Sequence, residues 1–348
     1  RRRRRVLLAP AAVAGIAGGT AVVLAVGMGG SGPRHSPPTP VRLDATSVFL
    51  AAADQAERQP MGEYWYTDQI QGQSYIVKDG YAIVGAHSET FEWTAVKAGG
   101  GNVFYGRDLP ARPATKEDRA AWRKAGSPSS FRVWSNDHHE TYTTRAGSWQ
   151  EDPSGDGTGG RFFVQGSGRE LTVKEILKLP TDPATLAARF LTLNPPGRPG
   201  RRQAVPPLSN AYKLNKAAEL FESAPLPPKV RAGLMRALVT QPDVRAIGLA
   251  TDPLGRQGIA VAVDQPSWGW SPGPDGKLVR KELGYAEREE LIFDRGTGAL
   301  LAEQAVLVKP GGEYRTRKPG FVINYWLTRA SNWTDDKPSP PKKLPLFH

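Results

Sequence analysis

Cysteine is missing from all 348 residues, which excludes disulfides, thiolate nucleophiles and cysteine-bound metal centres. Histidine is scarce: His35, His87, the adjacent His138 and His139, and His348 make up the five. None of them shows the His-x-x-x-His spacing that sets two imidazoles on one helix face. Asp137-His-His-Glu140 is the one dense cluster of metal-type ligands. Neighbouring side chains of a strand point to opposite faces, so that cluster reads as a polar turn. Gly166-Ser-Gly168 falls short of the spacing of a serine nucleophile elbow. Gly99-Gly-Gly101 and Gly157-Thr-Gly-Gly160 lack the Lys-Ser/Thr that follows a phosphate loop. Asp294-Arg-Gly-Thr-Gly298 has the composition of a hairpin turn. The expectation is a protein that is not an enzyme, with no catalytic residue, no cofactor and no metal site.

What is present begins at the N-terminus. Residues 6–30 carry one polar side chain, Thr20, and no charge. About 20 apolar residues in a helix cross the ~30 Å core of a bilayer. Arg1, Arg2, Arg3, Arg4 and Arg5 precede the run, and positive flanks stay cytoplasmic. The reading is a single-pass protein of the cell membrane with its N-terminus inside and its main domain extracytoplasmic. A cleaved signal peptide ending near Ala25-Val26-Gly27 is the alternative. A buried helix of a soluble domain suits Pro10 and the glycines of the run poorly. The chain opens on Arg1 rather than Met, so the reading also expects a cytoplasmic head upstream.

Arg1 to Arg5 supply five of the +12 net charges, and the remainder is scattered. Short basic clusters occur only at residues 198–202 and 315–318. A nucleic-acid binder concentrates such charge on one face, so no nucleic-acid partner is expected. Attraction to anionic lipid or wall polymer is the sharper alternative to a solvated surface.

Residues 31–43 form a Pro-rich stalk, residues 44–334 the extracytoplasmic domain, and residues 335–348 a disordered Pro/Lys tail. Asp44 is a suitable N-cap for a helix that Pro60 stops, with Phe49, Ala52 and Ala56 inward. Short β-type runs follow, broken at Gly72 and turned at Asp79-Gly80. Phe91, Trp93 and Ala95 alternate with Thr90, Glu92 and Thr94 in a half-buried strand. Thr115 and Thr172 open helices with capping boxes, and Asp182-Pro183 opens another. Leu214, Ala217, Ala218 and Phe221, then Val230, Leu234 and Leu238, mark two more apolar helix faces. The last third is β-type again. Strands grouped with strands predict an α+β fold with an antiparallel sheet, here a curved, half-barrel-like sheet with helices on its concave side.

Several segments carry a resemblance. They are Leu50-Ala-Ala-Ala53 with Gly62-Glu-Tyr-Trp-Tyr66, residues 118–128, Leu179-Pro-Thr-Asp-Pro-Ala-Thr-Leu186, residues 226–234, Thr251-Asp-Pro-Leu-Gly-Arg256 and residues 291–301. In that order they resemble a family of actinobacterial single-pass membrane proteins of unknown activity, often encoded beside extracytoplasmic-function sigma factors. The resemblance implies an inside N-terminus, an outside domain and a regulatory role, as the outer part of an anti-sigma-like protein. It implies a sigma factor as partner through the cytoplasmic head, and it supplies no catalytic residue. The element order also resembles, more distantly, half-barrel lipoprotein-carrier and sigma-regulator domains.

The functional candidates are aromatic: Tyr64, Trp65, Tyr66, Trp93 and Tyr105 on early strands, and Trp268 and Trp270 in a Pro/Gly loop. On a concave face they would line an apolar groove, and on an exposed loop they would form a contact surface. The expected function is envelope sensing or binding without chemistry. A carrier of lipid or polymer is the alternative.

Overall fold

A computed structural model describes residues 44–97, 99–135, 138–152, 161–163, 170–191, 210–272 and 278–339. The apolar run, the basic flank and the stalk lie outside the described residues, as does the end of the tail. Among the described residues, no helix is long and apolar enough to cross a membrane. Every helix and strand described belongs to the unit from Ala45 onward.

Helix α1 (Ala45–Glu57) leads into strands β1 (Tyr64–Ile76), β2 (Ala82–Ala95), β3 (Asn102–Asp108) and β4 (Arg112–Pro113). Helix α2 (Lys116–Lys124) precedes β5 (Ser130–Ser135), β6 (His138–Thr143), β7 (Gln150–Asp152), β8 (Arg161–Phe163) and β9 (Glu170–Thr172). The helical middle comprises α3 (Val173–Ile176), α4 (Pro183–Phe190), α5 (Asn210–Ser223) and α6 (Pro228–Leu238). The chain then returns to β10 (Arg245–Thr251), β11 (Gln257–Pro272), β12 (Leu278–Phe293), β13 (Leu300–Lys309) and β14 (Val322–Thr334).

One antiparallel sheet runs β10-β11-β12-β13-β14-β1-β2-β3-β7, with β4 beside β2. The C-terminal β14 pairs with the N-terminal β1, so the two strand-rich ends of the chain share one sheet. β5 with β6, and β8 with β9, form separate two-stranded ribbons. The α+β class and the antiparallel sheet expected from the sequence are present.

Local signals hold where the sequence places them. Thr172 Oγ1 accepts from the Glu175 amide at 3.3 Å, and Glu175 Oε2 accepts from the Thr172 amide at 2.9 Å. Asp182 caps α4 through Thr185, with Pro183 in the first turn. Gly80 takes a positive φ in the turn between β1 and β2. Asp294 closes its turn by accepting from the Gly296 and Thr297 amides at 2.9 and 2.8 Å, a structural use of that carboxylate.

Three expectations are corrected. Gly72 does not interrupt a strand: β1 runs through it because the Tyr325 ring lies across the glycine, where a Cβ would stand 2.6 Å from the ring. The early runs are likewise parts of the long strands β1 and β2, with the β1–β2 register shifting between Gln71 and Gln73. The stretch holding Trp268 and Trp270 is not a loop. It is the far end of β11, with Trp268 opposite Glu282 and Trp270 opposite Arg280. The Gly-x-Ser-x-Gly spacing does occur there, at residues 269–273, and its first four residues lie on β11, paired with antiparallel β12.

The principal core lies between the sheet and α1, α3, α4, α5 and α6. α5 packs on β11, β12 and β13, while α6 packs on α1, α4 and α5. Phe293 is its hub, meeting Phe49 and Phe221 edge-on at 5.4 and 5.2 Å. On the other face, Ile70, Ala260, Ile292, Ala302 and Leu327 form a smaller cluster with Tyr325. Gly72→Ala forces the Tyr325 ring aside, and the expected cost is about 1–2 kcal/mol in urea unfolding. An unchanged midpoint would mean that the ring moves freely.

Candidate functional site

Strand alternation divides the predicted aromatics between the two faces of the sheet. Tyr64, Tyr66, Phe91, Trp93 and Tyr105 share one face in a packed cluster with Val103 and Trp149. Tyr64 meets Trp93 edge-on at 5.8 Å, and Tyr66 and Tyr105 flank Phe91 at 6.0 and 6.4 Å. Lys337 covers the Trp93 ring at 4.7 Å. These rings pack against one another as core. Trp268 is 52 % exposed on β11, remote in sequence and strand order from that cluster. The side chain of Trp270 lies outside the described residues.

Trp65 stands apart, on the opposite face. It pairs across the β1–β14 ladder with Trp333, and the two rings are 5.2 Å apart. Beside them a recess opens between the end of α1, the start of α6, the β12–β13 turn and the end of β14. Its cavity volume is about 80 Å³, and beyond that it opens to solvent. Ala56, Pro60, Leu226 and Pro228 supply apolar wall, and Gln59, Arg231, Thr297, Ser331 and Asn332 supply polar side chains.

Arg231 was not among the sequence candidates. The Arg231 side chain is 6 % exposed. Its guanidinium lies over Trp65 at 5.0 Å and Phe221 at 5.4 Å. Nη2 donates to the Phe221 carbonyl at 3.3 Å, and Nη1 has no partner among the described residues. Burial alone holds its pKa down to about 10, so it is charged at neutral pH. Charged arginines are rarely buried without a carboxylate, because removing the charge from water is costly. Trp65 Nε1 and Ser331 Oγ are also buried without partners. The sequence did carry a signal. Arg231 precedes Leu234 by three positions, on the apolar side of an amphipathic helix.

Several other buried charges are committed elsewhere. Asp68, Glu89, Arg107 and Arg329 form one ion-pair network. Asp118 accepts from the Ala82 amide and from Arg317, both at 2.7 Å. His87 shares a hydrogen bond with the Pro110 carbonyl at 2.9 Å, and burial lowers its pKa to about 4, which keeps it neutral. His138 and His139 lie on β6, where His139 stacks edge-on against Trp134 at 5.2 Å. Among the described residues, no three metal-type ligands gather.

No protein-family model matches the chain, and no curated protein sequence matches it. One solved structure that it is similar to is the crystal structure of MucB in complex with MucA(peri). The likeness covers 85 % of this chain and 58 % of that one, at 14 % identity and a TM-score of 0.25. The chain thus spans less than two thirds of that structure's length. At that score the likeness establishes neither the fold nor a partner.

Proposed function

We propose that this chain is a non-catalytic binding module of the cell envelope, held at the membrane by its N-terminal apolar run and presenting the recess beside Trp65 to a ligand. The observation that carries the reading is the recess itself, with a buried and unpaired Arg231 in its wall. The two rings over the guanidinium offset part of the cost of burying it without a carboxylate, and an anionic ligand would supply the missing partner. The five arginines before residues 6–30 support a placement outside the membrane. In this reading the sheet curves into a half-barrel around the helices. The module is the sensory outer part of an anti-sigma-like regulator, and a lipid or wall component is its ligand.

Two experiments test this. The full protein purified from its own envelope should show, in native mass spectrometry, an adduct of fixed stoichiometry that Trp65→Ala abolishes. An adduct indifferent to Trp65, or none at all, would refute the recess as the binding site. Because the chain has no cysteine, Ser129→Cys provides a single probe on an exposed residue. A membrane-impermeant maleimide should label it in intact cells, and labelling only after lysis would overturn the extracytoplasmic placement.

A further inference from the structure

Resting on the recess as the binding site, we infer that its ligand is an anion carried on an apolar body, with the anionic head against Arg231 and the first turn of α6. Four features are compatible with a negative charge there. Arg231 brings a full positive charge that no carboxylate among the described residues neutralises. α6 begins at Pro228, in the wall of the recess, with no side-chain cap and no acidic residue in its first turn. The positive end of an eleven-residue helix therefore faces the same space. The other two partnerless groups of the wall are Trp65 Nε1–H and the Ser331 hydroxyl. An indole nitrogen only donates, and a hydroxyl can donate. Arginine, indole and serine thus all offer hydrogens and await an acceptor.

The wall also has an apolar part, beside the polar Gln59, Thr297 and Asn332. Trp65, Trp333, Pro60 and Leu226 would pack a hydrocarbon or an aromatic ring, and they offer a polar molecule little. A cation is disfavoured by Arg231, and a neutral molecule of the same shape leaves the guanidinium unpaired. Leaving a buried donor unsatisfied is what makes such sites discriminate strongly between ligands. The shared chemistry is a carboxylate or a phosphate monoester on a short chain.

Calorimetric titration of the full chain with octanoate, octyl phosphate, octanol and octylamine tests this directly. Octanoate or octyl phosphate should bind at least tenfold more tightly than octanol, and octylamine should not bind. The ratio of the two anions separates a carboxylate ligand from a phosphate one. Arg231→Gln should abolish the preference for anions over octanol. Because that variant changes a buried group, Ser331→Ala provides the second arm. It deletes a hydroxyl that holds no partner, so the melting temperature should stay put while anion affinity falls several-fold. Octanol or octylamine binding as tightly as octanoate, with loss in Trp65→Ala, would overturn the anionic ligand and leave the recess as the site. Anion binding untouched by Arg231→Gln, Ser331→Ala and Trp65→Ala would overturn both.

Discussion

Replacing Arg329 with leucine is expected to cost about 3–5 kcal/mol of folding stability at pH 7, the loss seen when a buried charge is stripped of its partner. Arg329 sits where the β1–β14 register shifts: Asp68 faces Ala330 and Gln69 faces Thr328, so Arg329 is the extra residue of a bulge. A bulge re-aims the side chain it carries. Here Arg329 donates through Nε and Nη2 to Asp68 Oδ1, at 2.9 and 2.5 Å, and through Nη2 to Glu89 Oε2 at 2.7 Å. Arg107, opposite Glu89 on β3, holds the other oxygen of that carboxylate. Even with Arg329 in place, desolvation keeps the Asp68 pKa above its ordinary value. The arginine therefore only partly offsets the burial, and without it Asp68 has no cation. The loss should shrink in acid, where Asp68 can protonate, and Asp68→Asn in the Arg329→Leu background should recover part of it. Urea unfolding of the unaltered protein and the two variants at pH 7 and pH 5 gives the answer. A loss under about 1 kcal/mol would class the network with ordinary surface pairs.

The contrast between that network and the helix caps shows what the sequence could disclose. Thr172 and Glu175 are three residues apart, and their reciprocal bonds follow from spacing alone. The inward positions Leu214, Ala217, Ala218 and Phe221 follow in the same way from the helical repeat, and all are buried. Asp68 and Arg329 are 261 residues apart, and a one-residue bulge decides whether they meet. No local pattern encodes that. Alternation along β1 puts Trp65 on the face opposite Tyr64 and Tyr66, which the grouping of all three on one concave face overlooked, and it could not say which face the helices would cover. Gly72 reads as a break because its missing side chain is visible in the sequence and the ring of Tyr325 that fills the space is not. The recess was illegible for a related reason. Its walls come from α1, β1, α6, the β12–β13 turn and β14, and only their packing sets Arg231 beside Trp65.

Stability should rise as the pH falls from about 8 toward 6, because α5 packs carboxylates onto the sheet. Glu222 near the end of α5, Glu303 on β13 and Glu289 on β12 are buried. Desolvation is the main cause that raises all three pKa values, and charge repulsion adds to it: Glu303 acts on Glu222 and Glu289, and Glu219 acts on Glu222 and Glu303. Glu303 reaches about 7, even though Asn215 donates to it at 2.5 Å. A carboxyl whose pKa is higher folded than unfolded contributes fully below the unfolded value near 4.5, and loses that contribution as pH rises through the folded value. For Glu303 the loss therefore falls between about pH 4.5 and 7. His87 works in the opposite direction. Its folded pKa near 4 lies below the ordinary 6.5, so its contribution is lost as pH falls through that window. The two trends meet in a stability maximum at mildly acidic pH. Glu303→Gln keeps the acceptor for Asn215 and removes the charge, so it should stabilise the fold by on the order of 2 kcal/mol at pH 8 and leave it unchanged at pH 4.5. Thermal melts of both proteins across this range decide the matter. A variant that loses stability at pH 8 would mean that the carboxylate is ionised and paired in the fold, and that α5 is held down by charge instead of in spite of it.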